Sequence, residues 1–166
     1  MNGKVRDNMT KEMKQIFTRR ITQANRTQLV VVVYDMLLAY LEEGMKAYET
    51  DNKQEFDRNL NLARSCIAEL RSSLNFEYDL SKNLFSIYAF ADRELAGDIY
   101  GAKTDNIDAI IKMFQKLRDA YHTISKEDDS EPLMENIQDV YAGYTYGKTD
   151  VNESLVNYGA QRGYCV

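Results

Sequence analysis

The chain is poor in the residues from which enzyme sites and cross-linked folds are usually built. Its 166 residues include one histidine, two cysteines, one proline, eight glycines and no tryptophan. Cys66 and Cys165 do not make a disulfide framework, and a single histidine excludes most multi-histidine metal sites. One proline argues against a β-sandwich, which needs many tight turns. These absences predict a protein of a reducing compartment with no enzyme activity, no cofactor and no metal.

Long apolar runs are also missing. No stretch approaches the ~18 apolar residues of a membrane-spanning helix, and residues 1–20 are too polar and basic for a secretory signal. Hydrophobic residues still make up 44% of the chain and charged residues 28%, which excludes disorder of the whole chain. We therefore expect a cytoplasmic globular domain without a membrane span.

Charge is distributed unevenly along the chain, although the net charge is only −5. Residues 1–26 hold seven basic and two acidic side chains, whereas residues 125–166 hold three basic and eight acidic ones. A basic arm can bind nucleic acid or an anionic membrane surface, but it can also lie on its own acidic body or stay solvated. The second interpretation is the simpler one, and we predict no nucleic-acid partner.

Four amphipathic segments follow the arm. Asn25 and Gln28 have the spacing of a capping box, and the apolar pattern then continues to Tyr48. The valines at 30–33 are typical of a strand, but the length of the pattern is typical of a helix, so we predict a helix over 26–49. Apolar residues at alternating intervals of three and four predict further helices over about 51–75, 79–101 and 104–124.

This pattern predicts an all-α protein, an antiparallel up-down four-helix bundle with short loops. A short, basic N-terminal arm occupies 1–25 and the bundle 26–125. An acidic tail that contains glycine and tyrosine occupies 126–166, and we expect it to be flexible and mostly disordered. Its first residues, 125–132, have the composition of a solvated linker.

Motifs of catalysis are absent. Asp119 and His122 are best explained as a surface pair near a helix end, and Cys66 as a small apolar residue in the core. A nucleophilic pair of Cys66 with His122 is the weaker interpretation. The glycines form no phosphate-binding loop, and no zinc-ligand spacing occurs.

The first predicted helix carries more apolar residues than one core seam can bury. Each of these residues is either plain core or part of a surface that another segment or a partner must cover. A bundle with a second apolar groove is suited to binding an amphipathic helix. The nearest cover within the chain is a small apolar set in the N-terminal arm, which consists of Met13, Ile16, Phe17 and Ile21.

Several stretches in this order resemble the flagellar export chaperone family FliS, over about residues 10–125. They are Ile21-Thr22-Gln23-Ala24-Asn25-Arg26-Thr27-Gln28-Leu29 with Val33-Tyr34-Asp35, Ser72-Ser73-Leu74-Asn75-Phe76-Glu77-Tyr78, Lys82-Asn83-Leu84-Phe85-Ser86-Ile87-Tyr88, and Leu117-Arg118-Asp119-Ala120-Tyr121. The resemblance implies a cytoplasmic chaperone that binds the C-terminal segment of flagellin in an apolar groove, prevents premature polymerisation and assists export. It also implies the export apparatus as a further partner, and an N-terminal arm that lies over the groove when flagellin is absent.

Surplus apolar residues and matched stretches together predict a groove between the first and third predicted helices. Its candidate residues are Leu29, Val33, Tyr34, Met36, Leu37, Phe76, Tyr78, Leu84 and Tyr88. For each of them, a place in the plain core is an equally good explanation.

Two other functions stay open at this stage. The chain could be a helical adaptor that binds nucleic acid or anionic membrane through its basic arm, or a structural homodimer whose spare apolar face pairs with itself. The salt dependence of binding distinguishes the adaptor from a protein that binds its partner in an apolar groove. Binding that neutralises phosphates weakens steeply as the salt concentration rises.

Overall fold

A computed structural model describes residues 3–134, with side chains from residue 11 onward. Its helices are α1 (Gly3–Gln23), α2 (Arg26–Glu49), α3 (Lys53–Ser72), α4 (Asp79–Gly101) and α5 (Ile107–Ser125). Over the described range there is no strand, so the predicted all-α class is confirmed. The helices predicted from 26 to 124 correspond to α2–α5 with small shifts at their ends. Most of the predicted tail, from residue 135, lies outside the described residues.

The N-terminal arm contains a helix, which corrects the prediction of an arm in front of the first helix. Helix α1 covers nearly the whole arm and packs against α2. Met13, Phe17 and Ile21 recur at intervals of four, and Phe17 is only 9% exposed. The segment is rich in lysine, arginine and methionine, which favour helices, but it is too polar to be recognised by its apolar pattern alone.

The start of α2 has the predicted capping box. The side-chain oxygen of Asn25 accepts a hydrogen bond from the backbone N–H of Gln28 at 2.8 Å. In return, the backbone N–H of Asn25 donates to Oε1 of Gln28 at 3.1 Å. The cap satisfies donors that the first turn leaves unpaired, and so the valine run continues as helix rather than strand.

The core lies among α2, α3, α4 and α5. Helix α2 packs against both α3 and α5, and α3 packs against α4. An aromatic cluster fills the centre, in which the Tyr88 ring stacks on Phe114 with centroids 6.2 Å apart. Tyr34 lies 6.0 Å from Phe114 and 5.5 Å from Tyr121, centroid to centroid. The hydroxyls of Tyr34 and Tyr88 hydrogen-bond to each other at 2.5 Å, so these two buried polar groups are satisfied.

The chain after α5 does not behave as the solvated linker that its composition predicts. The amide nitrogen of Asn25 donates to the carbonyls of Asp128 at 2.9 Å and Ser130 at 3.3 Å. The Asp128 carboxylate accepts from the Thr27 hydroxyl, and Leu133 N–H donates to the Ala24 carbonyl at 3.1 Å. Residues 126–134, called the strap below, are therefore held at the start of α2. Backbone hydrogen bonds, which composition does not reveal, position it.

Two glycines give a matched test of the packing of α2 on α3. A Cβ added at Gly44 would lie 2.5 Å from Cδ1 of the buried Leu60, whereas one added at Gly97 would meet nothing within 4 Å. Alanine favours a helix by about 1 kcal/mol over glycine. We expect Gly97→Ala to raise the free energy of unfolding by roughly 0.5–1 kcal/mol. Gly44→Ala should lower it by about 1 kcal/mol, because overpacking a core costs roughly 1–3 kcal/mol. Urea unfolding measures the free energy of unfolding of both variants. If both variants are more stable than the parent protein, the close approach of α2 and α3 at Gly44 is contradicted.

Asp98 is a charged residue in an unusual position near the end of α4. It is 0% exposed, and neither carboxylate oxygen has a hydrogen-bond partner among the described residues. Burial raises its pKa, and the nearby Lys103 opposes that shift. A carboxyl whose pKa is raised in the folded state stabilises the protein when protonated, and this contribution is lost as pH rises through the folded-state pKa.

The sign of this shift predicts the effect of removing the charge. Asp98→Asn should be more stable than the parent protein at neutral pH, because the amide carries no charge that burial penalises. The advantage should shrink as the pH falls through the raised pKa of the parent carboxyl, which then takes up a proton. Thermal unfolding across this pH range checks the prediction. A variant that is less stable at neutral pH would show that Asp98 acts mainly as a favourable charge.

Candidate functional site

The structure divides the nine candidate groove residues into core and surface. Tyr34 and Leu37 are fully buried, and Leu84 and Tyr88 are nearly so. Tyr34 and Leu37 therefore belong to the plain core, which corrects their placement in an open groove. Leu84 and Tyr88 are also core residues, but each forms part of the wall of a surface pocket. The helical interval alone could not separate these positions, because core and groove residues share one apolar pattern.

The remaining five candidates reach the surface. Leu29, Val33 and Met36 are half-buried and follow one another along α2 at intervals of four and three. Phe76 and Tyr78, in the connector between α3 and α4, are 53% and 66% exposed. A role for these residues in binding a partner remains a prediction.

Helices α2 and α4 contribute to one surface depression, but α3 and α5 line it with them, so it is not the predicted two-helix groove. Helix α3 packs against both, and α2 meets α4 through the hydroxyls of Tyr34 and Tyr88 inside the core. Because Tyr34 and Tyr88 fill the space between α2 and α4 inside the core, the depressions that open to solvent are lined by other helices as well. The two surface depressions described next both involve α4 and α5.

One depression, the end pocket, lies where four helices meet at one end of the protein. Its volume is about 210 Å³. The start of α2, the end of α3, the start of α4 and the end of α5 contribute its mostly apolar lining. The apolar and aromatic lining residues are Val30, Leu70, Leu74, Tyr78, Leu80, Leu84, Tyr88 and Tyr121. A pocket of this size and chemistry suits one large apolar side chain.

The second depression, the α4–α5 groove, has a volume of about 460 Å³. Ile87 of α4 faces Ala109, Met113 and Leu117 of α5, and two lysines, Lys112 and Lys116, complete the lining. Leu117 and Tyr121 are one helical turn apart on α5, so the groove and the end pocket follow the same pair of helices. Sequence reasoning named Leu117 and Tyr121 only within a stretch that resembles the family and did not single out Met113. No spacing signal marks it as a surface residue.

Exposed aromatic and apolar side chains lie next to the end pocket. Leu80 is 62% exposed and Phe85 is 41% exposed. The Phe85 ring lies 5.8 Å from Phe76, edge to face, between centroids. With Tyr78, these residues form a contiguous apolar patch beside the pocket, which is the kind of surface that marks an interaction site.

Helix α1 covers a different surface. Phe17 is buried, Met13 and Ile21 are half-buried, and Ile16 is 58% exposed, so the predicted apolar set is only partly in contact with the body. Arg20 holds α1 to α2 through an ion pair with Asp35 at 2.6 Å. From residue 11 onward, no residue of α1 lines the end pocket or the α4–α5 groove.

Neither depression resembles a catalytic centre. Burial raises the pKa of the Cys66 thiol to about 11, so the reactive thiolate is scarce at neutral pH. Burial also raises the pKa of Tyr88 to about 12. Within the described part of the chain, no group of three or more acidic, histidine or cysteine side chains could hold a metal ion. The arrangement suits recognition of an apolar segment.

Comparison with known families identifies the kind of protein that carries this surface. A family model described as flagellar protein FliS matches residues 9–128, which is well over half of the chain. The chain belongs to the FliS family. FliS proteins are flagellar export chaperones that bind flagellin, and the family is one of chaperones rather than enzymes. A comparison with curated proteins found no match. Among the described helices, none is long and apolar enough to cross a membrane.

Charged substitutions separate core from surface around the two depressions. Tyr88→Asp places an unpaired charge in the core and should cost several kcal/mol, a large part of a typical stability of ~5–15 kcal/mol. Leu80→Asp places the same charge at the exposed surface and should cost less than about 1 kcal/mol. Met113→Asp places it at a half-buried position in the groove wall and should cost less than Tyr88→Asp. Urea unfolding measures all three. Equal destabilisation by Met113→Asp and Tyr88→Asp would show that the groove is closed in solution.

Proposed function

We propose that this FliS-family protein is a cytoplasmic chaperone for the C-terminal segment of flagellin. It binds the segment before export, masks the surface through which flagellin polymerises, and delivers it to the export apparatus. Family membership supports the general role, and the open apolar surface along α4 and α5 supports the binding of a helical segment.

The α4–α5 groove is the observation that carries this proposal. From Tyr121 in the end pocket to Ala109 in the groove, α5 advances by twelve residues, or roughly 18 Å at 1.5 Å per residue. That length matches about three turns of a bound helix, whose apolar residues at i, i+3, i+4 and i+7 would face Leu80, Ile87 and Met113. A segment that becomes helical only on binding loses conformational entropy, and this loss lowers its net affinity.

We further propose that α2–α5 form the predicted antiparallel up-down bundle. The starts of α2 and α4 and the ends of α3 and α5 all line the end pocket. This arrangement supports the proposal, because neighbouring antiparallel helices place the start of one beside the end of the other. In such a bundle, a segment bound along α4 and α5 passes from the end pocket into the groove without changing direction.

Helix α1 fits the proposal as a cover of a second surface. It packs on α2, carries the buried Phe17 and is held by the ion pair between Arg20 and Asp35. A flagellin segment long enough to wrap around the protein would displace it and take over this apolar surface. The pairing of Arg20 with Asp35 also shows part of the basic arm lying on the acidic body, which favours the chaperone over a nucleic-acid or membrane adaptor.

The test is binding of a synthetic flagellin C-terminal peptide, measured by calorimetry. Met113→Asp and Leu80→Asp should each weaken binding at least about tenfold, because a central hot-spot contact contributes about 2 kcal/mol or more and tenfold corresponds to about 1.4 kcal/mol. Tyr100→Asp is a matched control, since Tyr100 is also on α4 and is 95% exposed but lies outside both depressions.

The control also guards against a general effect of added charge. If Tyr100→Asp weakens binding as much as Met113→Asp, the groove is not the binding surface. Moderate salt should leave the affinity of the parent protein nearly unchanged, because apolar burial rather than ion pairing provides most of the binding.

A further inference from the structure

The α4–α5 groove carries charge along one of its edges. Among the described residues, α4 contributes Ile87 to the lining, whereas α5 contributes Lys112 and Lys116 beside its apolar residues. Both lysines are exposed, and within residues 11–134 neither forms an ion pair or a hydrogen bond. They stand four residues apart, which is about 6 Å along the helix axis at 1.5 Å per residue. The α5 edge therefore presents a pair of cations, one helical turn apart, that the body does not neutralise.

The lysines lie outside the apolar wall of the groove and not within it. Lys112, Met113 and Phe114 are consecutive, and they are exposed, half-buried and fully buried in that order. Successive residues of an α-helix are rotated by about 100°, so the Met113 wall lies between the core and the lysine edge. Lys116 and Leu117 repeat this order one turn later. A ligand that lies on the apolar wall therefore meets the lysines along one flank.

Acidic residues bound the basic pair at both ends. Asp108 precedes Lys112 by four residues, and Asp119 follows Lys116 by three, which places all four on one side of α5. Both aspartates are exposed, and Asp119 also pairs with Arg118 at 2.9 Å. A continuous polyanion would meet repulsion on either side of the two lysines. A protein segment with two carboxylates one turn apart meets only the lysines, and this charge pattern favours such a segment over nucleic acid or membrane.

An amphipathic helix can present these carboxylates without giving up its apolar contacts. If its apolar residues stand at i, i+3, i+7 and i+10, acidic residues at i+4 and i+8 lie roughly 80° and 120° from the middle of the apolar stripe. They are thus beside the stripe and not on the opposite face of the helix. The stripe can cover Ile87 and Met113 while the carboxylates approach Lys112 and Lys116.

We propose that Lys112 and Lys116 determine the specificity of the α4–α5 groove. They select an amphipathic helix that carries two acidic residues one turn apart along one flank of its apolar stripe. Apolar burial still provides most of the affinity, because an ion pair at the edge of an interface contributes little by itself. The inference names the chemistry of the segment that the groove accepts, and it rests on the proposed function in taking the groove as the binding surface.

Two synthetic peptides test this selection against the full-length chain. Both carry the same apolar residues at i, i+3, i+7 and i+10, and one has glutamate and the other lysine at i+4 and i+8. In calorimetry at low salt, the parent protein should bind the glutamate peptide about tenfold more tightly, because the edge attracts one peptide and repels the other. Lys112→Glu with Lys116→Glu should reverse this preference, and Lys112→Gln with Lys116→Gln should abolish it.

Lys46→Glu with Lys53→Glu is a matched control for the change in net charge. These lysines lie near the end of α2 and the start of α3, and neither lines a depression. The control should keep the preference of the parent protein within about twofold, because distant exposed charges are largely screened. Equal binding of the two peptides by the parent, binding of neither, or an equal loss of preference in the control would overturn the proposal.

Other occupants of the groove give different results. Displacement of the glutamate peptide by a short DNA duplex would overturn the proposal, because the lysines would then serve to bind phosphate. An apparent affinity that falls as the protein concentration rises would also overturn it, since a second copy would then occupy the groove.

The flagellin peptide separates this inference from the proposed function. If the flagellin peptide binds and Met113→Asp weakens it, but the two designed peptides bind equally, the proposed function stands and the charge selection fails. If the designed peptides show the preference and its reversal but the flagellin peptide does not bind, the charge selection stands and the flagellin assignment fails.

Discussion

The stacked rings of Tyr88 and Phe114 are the contact on which the candidate site depends. They lie between α4 and α5 with centroids 6.2 Å apart and planes inclined by 11°. Two large rings at this position hold the helices further apart than small residues would, and α4 packs closely on α3 rather than on α5. The gap that remains at the surface is the α4–α5 groove. The same rings that complete the core therefore create the opening, so the groove cannot be removed without changing the core.

Polar groups inside this aromatic cluster fix one arrangement of the helices. The hydroxyls of Tyr34 and Tyr88 satisfy each other at 2.5 Å, and burial raises the pKa of both groups, so they remain neutral hydrogen-bonding partners. Sliding α4 along α2 by one turn would leave two buried hydroxyls unpaired, at a cost of about 1–3 kcal/mol each. Apolar packing alone tolerates such shifts more readily. The tyrosine pair therefore sets the register that aligns Leu84 with the end pocket.

Sequence reasoning succeeded where local signals decide the structure, and failed where neighbours decide it. The capping box at Asn25 and Gln28 and the helices from 26 to 124 depend on intervals of a few residues. The place of Tyr34 in the core and of Met113 at the surface depends on which helix covers each face, which apolar spacing does not report. Helix α1 was missed because its packing on α2 supplies the stability that its polar sequence lacks. The strap was missed because most of its hydrogen bonds to the start of α2 use its own backbone groups.

Asn25 connects these elements through the two ends of one amide group. Its oxygen caps α2, and its nitrogen holds the strap, so one side chain joins the start of α2 to the chain beyond α5. The residue is 2% exposed, and the loss of either partner would leave a buried polar atom unpaired. Helix α1, which ends two residues before Asn25, and the strap therefore meet at the fixed start of α2.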